Sequence, residues 1–506
     1  MARPRFFEAV ILHICRYYVT PFLVIGRAVT LPILNILESI SANLCCRVVN
    51  SPEVHAKKVD HVKKQILDWN ANGRRTKLCT ARSGWKSMSL RIPTYKATMT
   101  GIDLDSLDEV VKIDEEAMTV TVEPLVKMGP LTKILDAKGW TIPVVPELDF
   151  LTVGGLICGA GLETSSHKYG LFHNTCISYE VVLASGEAVN ANKDENSDLF
   201  YAIPGSYGTI GFLTSATIRI FKAEKYVKLS CIPVNSLAEA TERITEESLK
   251  SPGPDFVEGI MYSLDKGVIM VGSLSSKAEP GKINSVTRWY KKSFYKHVET
   301  FLSSSQLAPK VEYIPLRDYY HRHTYCIFWI GPQYIPYVNN ALFRLIFGWT
   351  GPGDNYTYKI MPPYFRRLFE INMVVQDLVV PIDKTKMALQ YFHDTVEVYP
   401  VWLCPAKSLN EPGFFKVDGD AEVMHMDIGI YGQSGKPDDY EVDKSNKSLE
   451  QFCLGNKCWK GMYADTWFSR DEFYQMFDPT LYNKVRTELN CLDAFPDVYE
   501  KIAGRK

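Results

Sequence analysis

The sequence predicts an α+β fold in at least two domains, preceded by an N-terminal segment of different character. Three observations carry this. The chain has 506 residues, enough for two hydrophobic cores or more. Period-2 strand patterns and helical stripes are mixed without the β-α-β-α rhythm of a doubly wound sheet. One stretch, "LTVGGLICGAGLETSSHKYG" (151–170), is nearly bare of bulk in a chain that is 12% aromatic. Glycine costs about 0.5–1 kcal/mol relative to alanine inside a regular element. Its repetition therefore implies a backbone that turns sharply or approaches something closely, and successive N–H groups facing a phosphate would do both.

The elements follow in chain order. Residues 17–37 are mostly apolar yet carry Pro21, Arg27, Pro32 and Asn35. An arginine near the centre of a span costs about 2.5–3.5 kcal/mol on insertion scales, and the prolines weaken the helix. Residues 1–50 are accordingly read as a membrane-attached segment, either a poor span or an interfacial hairpin. A helix follows over 53–69, with Val54, Val59, Val62, Ile66 and Trp69 on one stripe. "TKLCTAR" (76–82) reads as a strand feeding the loop "SGWKSMS". Further strands are expected at 97–104, 109–114 and 118–124, where "MTVTVEP" alternates. A helix over 127–138 stops at Gly139. "WTIPVV" (140–145) leads into the glycine stretch, and strands follow at 179–187 and within 208–220. "FEINMVVQDLVVP" (369–381) and "MHMDIGIYG" (424–432) read as buried strands of a second domain.

Composition excludes several classes. With 57 basic and 58 acidic residues, no nucleic-acid partner is expected. Twelve cysteines are scattered without a CxxC or zinc spacing, so neither a metal site nor a disulfide framework is expected. Gly159-Ala160-Gly161 is followed by Leu162, Glu163 and Thr164. The third glycine of the dinucleotide fingerprint is thus missing, and a Rossmann domain is disfavoured.

Four segments in order resemble the flavoprotein domain shared by vanillyl-alcohol oxidase and p-cresol methylhydroxylase. They are "RSGWKSMS" (82–89), the glycine stretch, "VVLASGE" (181–187) and "DLFYAIPGSYGTIGFLTSATIRI" (198–220). The resemblance implies a PCMH-type FAD-binding domain of two α+β subdomains over 51–222, followed by an α+β cap or substrate domain over 223–506. It implies that Arg82, Ser83, Gly84, Trp85, Lys86 and Ser87 line the pyrophosphate and ribityl chain of FAD. Thr152, Val153, Gly154, Gly155, Leu156, Ile157, Cys158, Gly159, Ala160, Gly161, Leu162, Glu163 and Thr164 would do the same from the second loop. His167, Lys168, Tyr169 and Gly170 stand at the far end of that loop, and Gly208, Ile210 and Gly211 beside the flavin or adenine. Lys86 occupies the place where many members carry a histidine bonded to flavin, so non-covalent FAD is expected.

A narrower resemblance, to the Δ24-sterol reductases of the Diminuto type, rests on "ENSDLFYAIP", "VKLSCIPV", "DFVEGIMYSLD", "EYIPLRDYYHRHTYCIFW" and "LDAFPDVYEKI". Residues 204–208, "PGSYG", depart from it where relatives carry a tryptophan and a cysteine. It implies an FAD enzyme that uses NADPH to reduce the side-chain C24–C25 double bond of a sterol, at the endoplasmic reticulum membrane with the catalytic domain facing the cytosol. Such an alkene has no carbonyl to accept electron density, so a proton donor must accompany hydride from the flavin. Tyr320, His321 and His323, in an aromatic stretch with Arg322 beside them, are the candidates. A flavin alcohol or amine dehydrogenase or oxidase, and a sterol-binding protein without turnover, are the alternatives.

Overall fold

The computed structural model describes residues 51–89, 91, 93–303, 309–350, 363–416 and 422–503, together with His13, Tyr17 and Gly26. The membrane segment expected over 1–50 lies otherwise outside these residues. Among the described residues no helix is long and apolar enough to cross a membrane.

The chain forms two compact units. One comprises Asn43–Ala223, Lys407–Val423 and Gly461–Lys506, the other Met1–Ala42, Glu224–Ala406 and Met424–Lys460. The C-terminal region expected as one block, 223–506, is therefore divided. Hydrogen bonds explain why its last part joins the glycine-loop unit. The Arg91 guanidinium donates to the carbonyls of Met462, Ala464 and Ile502, and that of Arg486 to the carbonyl of Thr209. Asn174 and Lys193 both bond the Glu411 carboxylate, which ties down the shorter insert.

The glycine-loop unit begins with the helix Pro52–Ala71, capped by Ser51 and with proline in its first turn. It buries Val59, Val62, Ile66 and Trp69, whereas Val54, expected on the same stripe, is exposed in the first turn. Its antiparallel sheet has five strands in the order β3-β4-β8-β6-β7. These are β3 (Val110–Asp114), β4 (Thr119–Val122), β6 (Cys176–Val182), β7 (Ala188–Asn192) and β8 (Phe212–Arg219). A parallel pair, β1 (Leu78–Thr80) and β2 (Thr100–Ile102), lies outside this sheet. The strand expected at 97–104 is shorter than its pattern because Thr94–Thr98 winds into a 3-10 helix. β5 (Trp140–Thr141) pairs with β9 (Phe221–Lys222). The helix Met128–Asp136 ends before Gly139, whose φ of +74° suits the left-handed residue of a helix stop.

The second unit is built on one eight-stranded sheet in the order β13-β10-β12-β11-β15-β16-β14-β17. Its strands are β10 (Tyr226–Val234), β11 (Phe256–Ser263), β12 (Lys266–Ser275), β13 (Lys310–Pro315), β14 (Met373–Pro381), β15 (Val401–Ser408), β16 (Val423–Gln433) and β17 (Trp459–Lys460). The strand expected over 369–381 starts only at Met373, because Pro363–Glu370 is helical. β11 and β15 meet antiparallel, Ile260 opposite Trp402. Glu258 therefore enters the protein interior from a central strand, where it needs cationic partners.

Candidate functional site

The glycine stretch is not a loop throughout. Its first half winds into the helix Val153–Cys158, and the first N–H groups of that helix are already used. Val153 N–H donates to the Val126 carbonyl at 2.9 Å and Gly154 N–H to the Pro124 carbonyl at 2.8 Å. Most of the glycines are small because protein packs on them. A Cβ on Gly154 would lie 2.6 Å from Pro124 Cβ, on Gly161 2.8 Å from Leu156 Cδ2, and on Gly159 2.8 Å from the Gly155 carbonyl. Gly211 would meet Val181 Cγ1 at 2.6 Å, and Gly84 would meet Pro93 Cγ at 2.6 Å. Much of the 152–164 backbone is thus committed to packing within the protein. Two glycines remain open. Gly155 is exposed, and a Cβ there would meet only Thr152 Oγ1, at 3.0 Å. Gly208, at φ +66°, would have nothing nearer than 3.9 Å.

The structure brings three of the predicted segments together. Arg82 Nη1 lies 3.5 Å from Thr152 Oγ1, and Nη2 donates to the Lys86 carbonyl at 3.0 Å. Tyr207 N–H donates to the Cys158 carbonyl at 2.8 Å, and Gly205 N–H to that of Gly159 at 3.1 Å. Gly84–Lys86 form a 3-10 turn flanked by Ser83 and Ser87. Lys86 is exposed, its Nζ 3.7 Å from Asp105. Other predicted residues turn inward. Glu163 and Thr164 are buried, and His167 is buried with Nδ1 2.8 Å from the Thr164 carbonyl. The Tyr169 ring packs on Phe221, centroids 6.3 Å apart, while Lys168 is exposed. A Cβ on Gly170 would meet Asn174 Oδ1 at 2.7 Å. Ile210 is buried, its carbonyl accepting from the Cys491 thiol.

Two cations that the sequence reading missed complete this site. Lys96 Nζ donates to the Thr80 carbonyl at 2.8 Å, to Thr80 Oγ1 at 3.2 Å and to the Arg82 carbonyl, so it brings positive charge to the site with its three donors already used. Lys501, on the C-terminal helix Val498–Ile502, donates to the Tyr207 carbonyl. Its Nζ would stand 4.0 Å from a Cβ on Gly208. Among the described residues Arg82, Lys96 and Lys501 form no ion pair with a carboxylate. Burial, and then the charge of Lys96, lower the Lys501 ammonium to about 8. Cations held in a protein wall without a carboxylate in direct contact are costly unless an anion completes them. A pyrophosphate, approaching over the open backbone at Gly155 and Gly208, fits that requirement. Nothing in the local sequence around Lys96 or Lys501 announces this role, because only tertiary packing brings them together.

Comparison with known proteins bears on what binds here. Residues 53–192 match the family model described as an FAD binding domain. The chain is 44% identical to the Homo sapiens delta(24)-sterol reductase over 471 residues, 93% of this chain and 90% of that one. A Caenorhabditis elegans delta(24)-sterol reductase homolog is 41% identical over 517 residues, covering 99% and 97% of the two chains. This chain belongs to the delta(24)-sterol reductase family. The Arabidopsis thaliana delta(24)-sterol reductase is also similar, 38% identical over 482 residues with 89% and 85% coverage. The cofactor of this family member is FAD, and Arg82, Lys96, Lys501, Gly155 and Gly208 are the residues that fit it.

The proton-donor candidates of this sterol reductase family member lie in the second unit, where the helix Leu316–Tyr320 ends. Tyr320, His321 and His323 are all buried. Arg322 forks onto Glu258, Nε to Oε1 and Nη2 to Oε2 both at 2.9 Å, and Trp402 Nε1 donates to Oε2 at 3.0 Å. Burial opposes the Glu258 charge, but the Arg322 charge, with the hydrogen bond from His323, outweighs it and holds the carboxyl at about 2. His323 faces the same carboxylate, Nε2 at 3.5 Å, and stacks on Phe328 with centroids 4.3 Å apart. Burial lowers its ring to about 4; Glu258 opposes this and Arg322 adds to it. His323 is therefore neutral at neutral pH and has no imidazolium proton to give. It packs the interior, against Phe328 and Phe294 beside the Glu258–Arg322 pair.

Proposed function

We propose that this chain uses NADPH to reduce the C24–C25 double bond in the side chain of a sterol. The observation that carries this is the match to named delta(24)-sterol reductases across both units, with a cationic, anion-ready site in the unit that matches the FAD domain. Arg82 and Lys501 hold the pyrophosphate of a dissociable FAD, Lys96 adds positive charge, and Gly155 and Gly208 let it come close. Bound FAD supplies hydride, replenished from NADPH. The protein supplies the proton that an isolated alkene requires, and His321, with Tyr320 beside it, is the donor. Glu258, Arg322 and Trp402 fix the turn that presents these two residues. Residues 1–50 attach the chain to a membrane, which we assign to the endoplasmic reticulum with the catalytic units facing the cytosol. The apolar run over 17–37 supports attachment.

The experiment is an anaerobic half-reaction. NADPH should bleach the flavin band, and a 24-unsaturated sterol should restore it and be recovered saturated at that bond by mass spectrometry. Reoxidation by oxygen alone, with peroxide released and an alcohol substrate consumed, would make the chain an oxidase instead.

A further inference from the structure

The second unit carries a patch of apolar side chains that its own fold leaves in the open. Along the helix Ala341–Phe347 and the turn after it, Leu342 is 64% exposed, Leu345 60%, Ile346 49% and Trp349 41%. Trp289, Tyr290 and Tyr337 are exposed as well. The pieces are contiguous. Arg344 turns inward from the same helix, and its Nε donates to the Tyr290 carbonyl at 3.2 Å. A Cβ on Gly348 would meet the Trp289 carbonyl at 2.5 Å. The Tyr337 ring lies 6.5 Å from Phe343. Single exposed apolar side chains are ordinary; this many in one place mark a contact surface.

Charge indicates what covers it. From Pro280 to Val298 the chain carries five lysines and arginines and no acidic residue, and from Tyr319 to Gly353 it carries no acidic residue. Arg288 and Lys292 are exposed on either side of Trp289 and Tyr290. A cavity of about 470 Å³ is lined by Lys266, Lys292, Lys296 and Asn339, and by Glu299, which pairs with Lys296 at 2.7 Å. Tryptophan and tyrosine flanked by lysine and arginine, with leucine and isoleucine between, is the composition of a segment lying at the headgroup level of a bilayer. A second copy of the patch would set basic rim against basic rim. The Tyr17 ring lies 5.7 Å from Tyr337, so the N-terminal arm that we read as membrane-attached has a residue at the patch edge.

We infer that Trp289, Leu342, Leu345, Ile346 and Trp349 form a second membrane contact, seated at the acyl–headgroup boundary of an anionic phospholipid surface, with Arg288 and Lys292 directed to its phosphates. The inference deepens the sterol reading and rests on it for its purpose, since a sterol is drawn from a bilayer; its geometry is independent of it.

The test uses the full chain and tryptophan quenching by vesicles with brominated acyl chains. Residues 1–50 contain no tryptophan, so the N-terminal segment is silent in this readout. Vesicles of phosphatidylcholine with phosphatidylserine should quench the parent protein, and phosphatidylcholine alone should quench it several-fold less. The Trp289→Phe/Trp349→Phe protein should lose that quenched component, and Leu342→Gln/Leu345→Gln should weaken it several-fold. Equal quenching in parent and Trp variant would overturn the inference. So would a concentration-dependent dimer that the Leu342→Gln/Leu345→Gln change dissolves. Sterol turnover in detergent, measured on the same proteins, should be unchanged by these substitutions. Loss of turnover in the parent would count against the sterol reading and leave the quenching result standing.

Discussion

Lys501 Nζ hydrogen-bonds the carbonyl of Tyr207, which fastens the C-terminal helix to the turn just before Gly208. That contact places an ammonium from the end of the chain beside residues nearly three hundred positions earlier. A charge-assisted bond to phosphate contributes about 1.5–3 kcal/mol, so Lys501→Met should weaken FAD binding about 10- to 100-fold, read by quenching of flavin fluorescence, while Lys501→Arg keeps most of it. The ammonium titrates at about 8, and bound pyrophosphate raises it further. FAD affinity should then be flat below pH 8 and fall above it in the parent, with the fall absent in the methionine variant.

The glycines divide into two kinds, and substitution separates them. Gly211→Ala drives a methyl into Val181 Cγ1 and the Val182 carbonyl and should cost about 1–3 kcal/mol of stability, with the melting temperature falling in the flavin-free protein. Gly155→Ala meets only Thr152 Oγ1. It should leave that melting temperature nearly unchanged and reduce FAD affinity.

Glu258 is the counter-charge for Arg322 in the interior of the second unit. Removing one partner of a buried ion pair costs about 3–5 kcal/mol, so Glu258→Gln should lower the denaturation midpoint sharply. The native carboxyl is depressed to about 2, and a depressed acid contributes stability above its unfolded value. That contribution should be complete near neutrality and disappear as pH falls from about 4.5 toward 2, a range in which the variant curve is flatter.

His321 and His323 should behave differently. His323→Gln should lower stability yet leave sterol turnover per bound FAD within a few-fold. His321→Gln should lose turnover by about 10²–10⁴-fold, the usual contribution of a general acid, with FAD content unchanged. Equal turnover in the His321 variant would move the proton donor elsewhere.

His55 sits between Glu123 Oε1 at 2.8 Å and Glu180 Oε2 at 2.9 Å. Burial works against its charge, but the two carboxylates raise the ring to about 9. A raised base contributes stability that is present in full below about pH 6.5 and is lost as pH climbs through 9. The loss should be about 3 kcal/mol. A pH series of denaturation midpoints checks this, with His55→Gln removing the slope.

Much of the first unit was legible in the sequence. The 3.6-residue stripe of Val59, Val62, Ile66 and Trp69 and the alternation at 118–124 report burial that local sequence controls. The family of the 53–192 region was legible from ordered motifs. The cause of the small residues was not, because a Cβ on Gly154 or Gly211 collides with the side chains of Pro124 and Val181, far away in sequence. Lys501 and Lys96 were invisible for the same reason, and so was the joining of 461–506 to the glycine-loop unit through Arg91 and Arg486. The setting of His323 was not legible either: its neighbours in space, Glu258 and Phe294, are distant in sequence.

The absorbance spectrum of the purified full chain, taken before and after acid precipitation, shows whether a dissociable flavin fills the site beside Arg82 and Lys501. The two visible bands of oxidised flavin are expected, with all the colour released as FAD into the supernatant. A folded protein that is colourless and whose melting temperature does not move on adding FAD would contradict this.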